Sequence, residues 1–253
     1  MLAPLLTLVI PAVLQVQCAA DSALVRLDHA VLAVRDLDSA SASFEGLGFT
    51  LKPGRRHANG LLNRHIETRD GGSLELMTVI GRPGDAVARE YAGFLSDAEG
   101  GVFVAVAAGV ERFATVAREA GVAVELHGGG GFEYATSPDV GLSALFAVDY
   151  DDPPDSPAVL EHVNGVTAMT EVWVEAHPGL GWLLEALGGR DCGFARAAWG
   201  ETGHRYGIRG GAVVVVGIRD PRRPRVRGVV FETGVDGAEE TVAERHGLWL
   251  WIR

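Results

Sequence analysis

A pattern of one strand, one helix and three further strands recurs along this 253-residue chain, and it limits the possible folds more than any other feature. The first copy begins with the apolar, β-branched run at 27–34, which is typical of a strand. Small residues at 38–48 follow as a short helix that Asp36 or Asp38 can cap. Strands are predicted at 49–52, 61–68 and 73–79. The first copy is therefore read as βαβββ.

Two weaker copies follow the first. The second has a strand at 101–108, a helix at 110–120, and strands at 122–126, 142–148 and 158–163. The third has a strand at 168–175, a helix at 180–187, and strands at 194–199, 212–218 and 227–233. Because repeated supersecondary units define an architecture, the sequence predicts an α+β fold of repeated βαβββ modules.

The charge balance excludes one class of partner. The chain carries 33 acidic and 22 basic residues, a formal net charge of −11. Proteins that bind nucleic acids neutralise phosphates with Lys and Arg. We therefore expect a small-molecule partner and no nucleic acid, and a homodimer stays an open alternative to a monomer.

The first 26 residues form a separate N-terminal apolar segment. Residues 1–20 carry no charge, which leaves three readings open: a cleaved export signal, an extra strand or helix, or an extension ahead of the native start. The apolar run at 5–14 is shorter than the about 20 residues of a membrane-spanning helix, so we expect no membrane span. The protein is expected to be cytoplasmic, or exported if the segment is a signal peptide. Cys18 and Cys192 are too few for a disulfide framework, and we assign them no function.

Three side chains in strand positions are candidate metal ligands. His29 lies at the start of the first strand and Glu75 in the middle of the fourth strand of the first module. Charged residues within apolar strands need a partner when they are buried, and an imidazole with a carboxylate suits a divalent transition metal. Glu161 has the equivalent position in the second module. The alternative is that these residues are satisfied or solvent-facing strand residues.

The first module resembles the vicinal oxygen chelate superfamily, and in particular its glyoxalase-like branch. The residues that carry the resemblance are LDHAVLAVRDL at 27–37, FEGLGF at 44–49, GRRH at 54–57, Asn63-Arg64 and SLEL at 73–76. The resemblance implies paired βαβββ modules at 27–163 that form a cup-shaped mixed sheet. A third such module with a C-terminal tail would occupy 164–253.

The resemblance also implies a metal in the cup, which would be Zn, Ni, Mn, Fe or Co. His29, Glu75 and Glu161 match the family's ligand positions, and Glu75 or Glu161 would also move the proton. The family also has a ligand on the first strand of the second module. In this chain that position falls near Val102 or Phe103, which cannot bind a metal. Either three protein groups hold the metal, with help from His57, or the cup binds a ligand without metal.

A loop histidine and several nearby polar residues complete the candidate site. His57 and Asn63 match the pattern of the branch. Neighbouring Arg55 and Arg56 would lower the pKa of His57 and leave a neutral imidazole that can act as a base or ligand. Arg56 and Arg64 are candidates for pairing with a carboxylate or phosphate of the substrate, and Asn63 is a further substrate-binding candidate. The other reading of the arginines is a solvated loop.

Two functions follow as hypotheses. One is a metal-dependent enzyme in which two adjacent oxygens of a small oxygenated substrate chelate a divalent metal, with isomerase, lyase or dioxygenase chemistry. The other is a protein of the bleomycin-resistance type that sequesters a small molecule without catalysis.

Overall fold

The computed structural model describes residue 18 and residues 20–128, 131–139, 141–151, 161–219, 225–235 and 237–253. It confirms the α+β class. Fifteen strands form one mixed sheet, and four helices are found in this part of the chain. None of these helices is long and apolar enough to span a membrane.

The elements follow the predicted order in the first three units. The first unit contains β1 (Arg26–Ala33), α1 (Leu37–Glu45), β2 (Lys52–Arg56), β3 (Leu61–Glu67) and β4 (Ser73–Val79), and an additional helix, α2 (Ala86–Asp97), follows it. The second contains β5 (Gly100–Ala107), α3 (Val110–Glu119), β6 (Glu125–Gly128), β7 (Phe132–Thr136) and β8 (Leu145–Tyr150). The third contains β9 (Val166–Glu175), α4 (Gly179–Ala186), β10 (Arg190–Arg196), β11 (Thr202–Ile208) and β12 (Gly211–Val216). The chain ends with β13 (Val226–Thr233), β14 (Thr241–Arg245) and β15 (Leu248–Ile252).

The fourth strand of each unit pairs in parallel with the first. This holds for β4 with β1, β8 with β5 and β12 with β9. The strands β13 and β15 pair in the same way, with β14 beside β15, so the last three strands form part of a fourth unit. The first strands of neighbouring units pair antiparallel, β1 with β5 and β9 with β13. The four units therefore form two halves.

Several strand assignments from the sequence are wrong. The second strand of the first unit, predicted at 49–52, is observed at Lys52–Arg56, and β7 was not predicted. The run at 227–233 is β13, which opens the partial fourth unit, so strands follow where we expected a tail. The fourth strand of the second unit is β8 instead of the run at 158–163. Residues 158–160 of that run lie outside the described residues, and Glu161 and His162 belong to no strand. The strand missed in the third unit, β11, has the sequence TGHRYGI, in which two glycines and three polar residues leave no apolar alternation.

The two faces of β1 contact different helices. Ala30, Leu32 and Val34 join the main core, which also contains side chains of α1, α3 and α4. Val31 and Ala33 face the other way and pack with Ala88, Tyr91 and Leu95 of α2. The helix α2 therefore lies over this second face of the sheet, which we call the concave face of the first half. Side chains alternate along a strand, so His29 lies on the same face as Val31 and Ala33.

The two cysteines form a disulfide. Cys18 is bonded to Cys192, which connects the segment before β1 to β10. The segment that follows Cys18 adds Ala20, Ala23 and Val25 to the main core. The sequence analysis did not anticipate this pairing, because nothing in the chain indicates that residues 174 positions apart meet.

We expect Gly101→Ala to destabilise the protein, because β5 meets β13 at the pair Gly101 and Val226. A Cβ at Gly101 would lie 2.5 Å from the carbonyl oxygen of Val226, and such overpacking typically costs about 1–3 kcal/mol. The matched control is Gly93→Ala in α2, where a Cβ would contact nothing within 4 Å and better helix propensity should stabilise by about 1 kcal/mol. Urea denaturation measures both. A Gly101→Ala protein as stable as the wild type would contradict this account.

Candidate functional site

His29 is held from one side by its sequence neighbour. Its Nδ1 lies 2.8 Å from Oδ2 of Asp28. Neighbouring side chains on a regular strand point to opposite faces, but the β1–β5 register shifts between Leu27 and His29, and such a bulge redirects a side chain. The local irregularity therefore lets Asp28 and His29 contact each other in the buried interior of the sheet.

The Asp28 carboxylate has partners on both oxygens. Arg26 Nη2 donates to Oδ1 at 2.9 Å, and the Tyr150 hydroxyl donates to Oδ2 at 3.0 Å. Burial by itself would raise the pKa of Asp28, but the hydrogen bond and charge of His29, followed by the charge of Arg26, outweigh burial and lower that pKa. Asp28 is thus a carboxylate that is stabilised in its charged form.

Glu75 lies on the other side of His29. Its Oε2 is 3.6 Å from His29 Nε2, and both side chains are only 10% exposed. Its Oε1 accepts a hydrogen bond from Asn63 Nδ2 at 2.7 Å and lies 3.6 Å from His65 Nε2. Burial would lower the pKa of His29, but the Asp28 hydrogen bond and the Glu75 charge raise it overall. A separation of 3.6 Å is too long for a hydrogen bond, so both imidazoles face the Glu75 carboxylate without bonding to it.

The charge of Glu75 also acts on two further histidines, whose pKa values are both lowered. The pKa of His57 is lowered, first by burial and then by the charge of Arg55, in the direction expected from the sequence. The Nε2 atom of His57 is buried and has no hydrogen-bond partner. Burial also lowers the pKa of His65, which lies opposite Glu75 in the β3–β4 pair. The neutral form is the one that binds metals or accepts protons.

Aromatic side chains form the opposite wall. The ring of Phe146 lies edge-on to His29 with centroids 5.6 Å apart, and Phe103 contacts Phe146 at 6.1 Å. Tyr91 of α2 packs against Phe103 at 5.6 Å. Burial, followed by the charges of Glu75 and Glu90, raises the pKa of Tyr91 well above its usual value, so its hydroxyl stays protonated. The concave face is therefore polar toward the first unit and aromatic toward the second.

The strand register explains this asymmetry. Val31 lies opposite Glu75 in the β1–β4 pair, and Ala105 lies opposite Phe146 in the β5–β8 pair. Phe146 thus has the position in the second unit that Glu75 has in the first. Val31 and Ala105 are equivalent by the same pairing. His29 lies two residues before Val31 and Phe103 two residues before Ala105, so Phe103 has the position of His29. The two positions of the second unit that are equivalent to His29 and Glu75 are therefore phenylalanines.

Glu161 and Arg64 must be removed from the predicted site. The Glu161 side chain is 84% exposed and lies 3.5 Å from Arg69 at the surface. It was assigned to the site because its local sequence resembles that around Glu75, but it does not lie on the fourth strand. Arg64 donates to Ser41 and Asp38 on α1, so it points away from the concave face.

The other predicted residues are placed as follows. His29, Glu75 and Asn63 lie together at the concave face, and the charge of Glu75 also acts on His57. Arg56 is exposed on β2. The sequence analysis missed His65, although it alternates with Asn63 along β3 and therefore shares its face. It also missed Asp28 and Tyr150, whose roles depend on a bulge and on the pairing of two units.

The corresponding face of the second half is filled by the chain itself. Trp199 lies against Gly228, where a Cβ would be 2.7 Å from its ring, and contacts Trp173 with centroids 5.4 Å apart. Arg205 and Arg253 both donate to Oε1 of Glu171, at 2.7 and 3.2 Å. Among the described residues, the candidate site therefore belongs to the first half alone.

Within the described residues, no three His, Cys, Asp or Glu side chains already have the arrangement of a metal centre. His29 and His65 each have Nε2 3.6 Å from a Glu75 oxygen, and the charge of Glu75 also acts on His57.

Solved structures with the same fold confirm the architecture. A hypothetical protein from Staphylococcus aureus aligns with a TM-score of 0.66 and 10% identity over 90% of this chain and 98% of its own. A variant of homoprotocatechuate 2,3-dioxygenase from B. fuscum aligns with a TM-score of 0.58 and 14% identity over 92% and 72%. A mutant of 4-hydroxymandelate synthase from Streptomyces coelicolor aligns with a TM-score of 0.58 and 15% identity over 83% and 71%. At these identities the likeness shows the fold alone.

The family is shown by sequence. None of the curated proteins that were compared matches this chain. The model of the glyoxalase-like domain family matches residues 27–179, which include the first two units and the start of the third. The paired βαβββ units agree with that match. The chain therefore belongs to the glyoxalase-like domain family.

Proposed function

We propose that this protein is a metal-dependent enzyme of the vicinal oxygen chelate type that acts on a small oxygenated substrate. The observation that carries the proposal is the orientation of His29. Asp28 engages Nδ1, so Nε2 is directed at the buried Glu75 carboxylate without a hydrogen bond to it. Metal-binding histidines typically donate their other ring N–H to a carboxylate in this way.

The residues fit a divalent cation in their chemistry and spacing. Nitrogen and oxygen ligands lie about 2.0–2.2 Å from a bound ion. Two ligand atoms on the same ion are therefore roughly 3 Å apart or slightly more. The 3.6 Å between His29 Nε2 and Glu75 Oε2 is close to that separation. The two groups face each other without a hydrogen bond between them, and this separation leaves room for a cation that both would bind.

We propose His57 as the third protein ligand. Its Nε2 is buried and unpartnered, and its lowered pKa keeps the imidazole neutral. The alternative, His65, already has its Nε2 3.1 Å from the amide of Asn63. Two histidines and one carboxylate would leave open positions for substrate oxygens.

A bound divalent metal would supply Lewis-acid polarisation of the substrate oxygens. The chain's own residues would do the rest. Asn63 Nδ2 holds Oε1 of Glu75 and thereby orients the carboxylate. Glu75 is also our candidate for the group that accepts a substrate proton. Phe103 and Phe146 would exclude water from the wall of the second unit.

The second candidate is sequestration of a small molecule without catalysis. The observation that favours it is the pair of phenylalanines at the ligand positions of the second unit. An aromatic wall binds apolar ligands without metal. The two candidates differ in whether a metal is required.

We expect the purified protein to bind one divalent cation and His29→Ala and Glu75→Gln to abolish that binding. Each substitution removes a ligand that lies at the buried centre of the site. Metal analysis and competition with a chromophoric chelator, for Zn, Ni, Mn, Fe and Co in turn, measure the affinity. Glu161→Gln is the matched control, and its affinity should equal that of the wild type because this carboxylate is exposed.

A wild-type protein that takes up none of the five metals would overturn the enzyme proposal and favour sequestration. If Glu161→Gln instead loses metal binding, Glu161 would be a metal ligand, as expected from the sequence.

We expect His57→Gln to weaken metal binding by at least 10-fold and His65→Gln to weaken it less. The unpartnered Nε2 of His57 is available, whereas His65 is engaged by Asn63. The same chelator competition measures both affinities, and the visible absorption of the Co²⁺-loaded protein reports a change of ligand. The opposite order of effects would assign the third position to His65.

A further inference from the structure

We infer that Tyr150 is a positioning residue that holds the Asp28 carboxylate against His29 and thereby sets the affinity of the site for its cation. This inference rests on the proposed function. Tyr150 contacts neither His29 nor Glu75 through a hydrogen bond of its own; its hydroxyl acts through Asp28.

The hydroxyl contacts the oxygen that orients the histidine. Tyr150 Oη donates to Asp28 Oδ2 at 3.0 Å, and the same oxygen lies 2.8 Å from His29 Nδ1. Arg26 holds the second oxygen, Oδ1, at 2.9 Å. Asp28 is therefore held at both oxygens, which restrains its carboxylate against rotation away from His29.

Tyr150 belongs to the second unit. It is the last residue of β8 and lies 122 positions from Asp28 in sequence. The second unit has phenylalanines at its own ligand positions, so it supplies no metal ligand there. Its contribution to the polar half of the site is this hydroxyl, which crosses from one unit to the other. Pairing of the two units is thus required for the orientation of His29.

The hydroxyl is suited to this role. Burial, followed by the charge of Asp28, raises the pKa of Tyr150, so the group remains a neutral hydrogen-bond donor. The side chain is partly exposed at the edge of the site, so loss of one oxygen atom leaves the fold intact. Removal of an outer-shell partner of this kind typically weakens metal binding by roughly 10- to 100-fold.

The test is Tyr150→Phe, which keeps the ring and removes only the hydroxyl. We expect the dissociation constant for Zn²⁺ or Co²⁺, from chelator competition, to rise roughly 10- to 100-fold while the thermal midpoint stays near the wild-type value. The matched control is Tyr134→Phe on the neighbouring strand β7, whose ring stacks on His127 instead of contacting Asp28. It should bind metal as the wild type does. Unchanged metal affinity in Tyr150→Phe would overturn the inference.

A second measurement separates this inference from the proposed function. In the metal-free protein, ¹⁵N-edited NMR should show a slowly exchanging Nδ1–H proton of His29, and Tyr150→Phe should broaden or shift it. If the wild type binds no metal but this signal changes in Tyr150→Phe, the proposed function fails and the positioning role stands. If the signal is the same in both proteins, the positioning role fails whatever the metal affinity.

Discussion

The pairing of β1 with a parallel strand on one side and an antiparallel strand on the other determines where the candidate site can form. β4 and β5 flank β1, and every residue of β1 after Arg26 is buried. Alternation sends Ala30 and Leu32 into the main core and His29 and Val31 to the concave face beneath α2. A polar side chain at that face must find partners within the protein, because a buried group without them is strongly destabilising.

The charges at the site alternate in sign. Arg26 contacts Asp28, Asp28 contacts His29, and His29 faces Glu75. The raised pKa of His29 and the lowered pKa of Asp28 both reflect this mutual stabilisation. A buried ion pair contributes little net stability, but loss of one member leaves an uncompensated charge. The arrangement therefore preserves the geometry of the site more than it stabilises the fold.

The two halves of the sheet show how one architecture supports different interiors. In the first half, Val31, Glu75 and His65 lie opposite one another across β1, β4 and β3. The corresponding positions on β9, β12 and β11 hold Trp173, Val214 and Arg205. The same register thus gives a histidine and carboxylate site in one half and a tryptophan-filled face in the other. Fold alone does not decide function; the side chains at these register positions do.

The sequence by itself determined the class of fold, the order of elements in the first unit with most of their bounds, and the pair His29 and Glu75. These depend on local apolar alternation and turn residues, which the chain expresses directly: β4 is observed at Ser73–Val79, as predicted. Only the tertiary structure decided which carboxylates meet, since Glu161 has the local pattern of Glu75 but lies at the surface. It also decided that Asp28 shares a site with His29 and that Tyr150 reaches them from another unit. Strand register, a bulge and the pairing of distant strands set these contacts, and none of the three leaves a local pattern in the sequence.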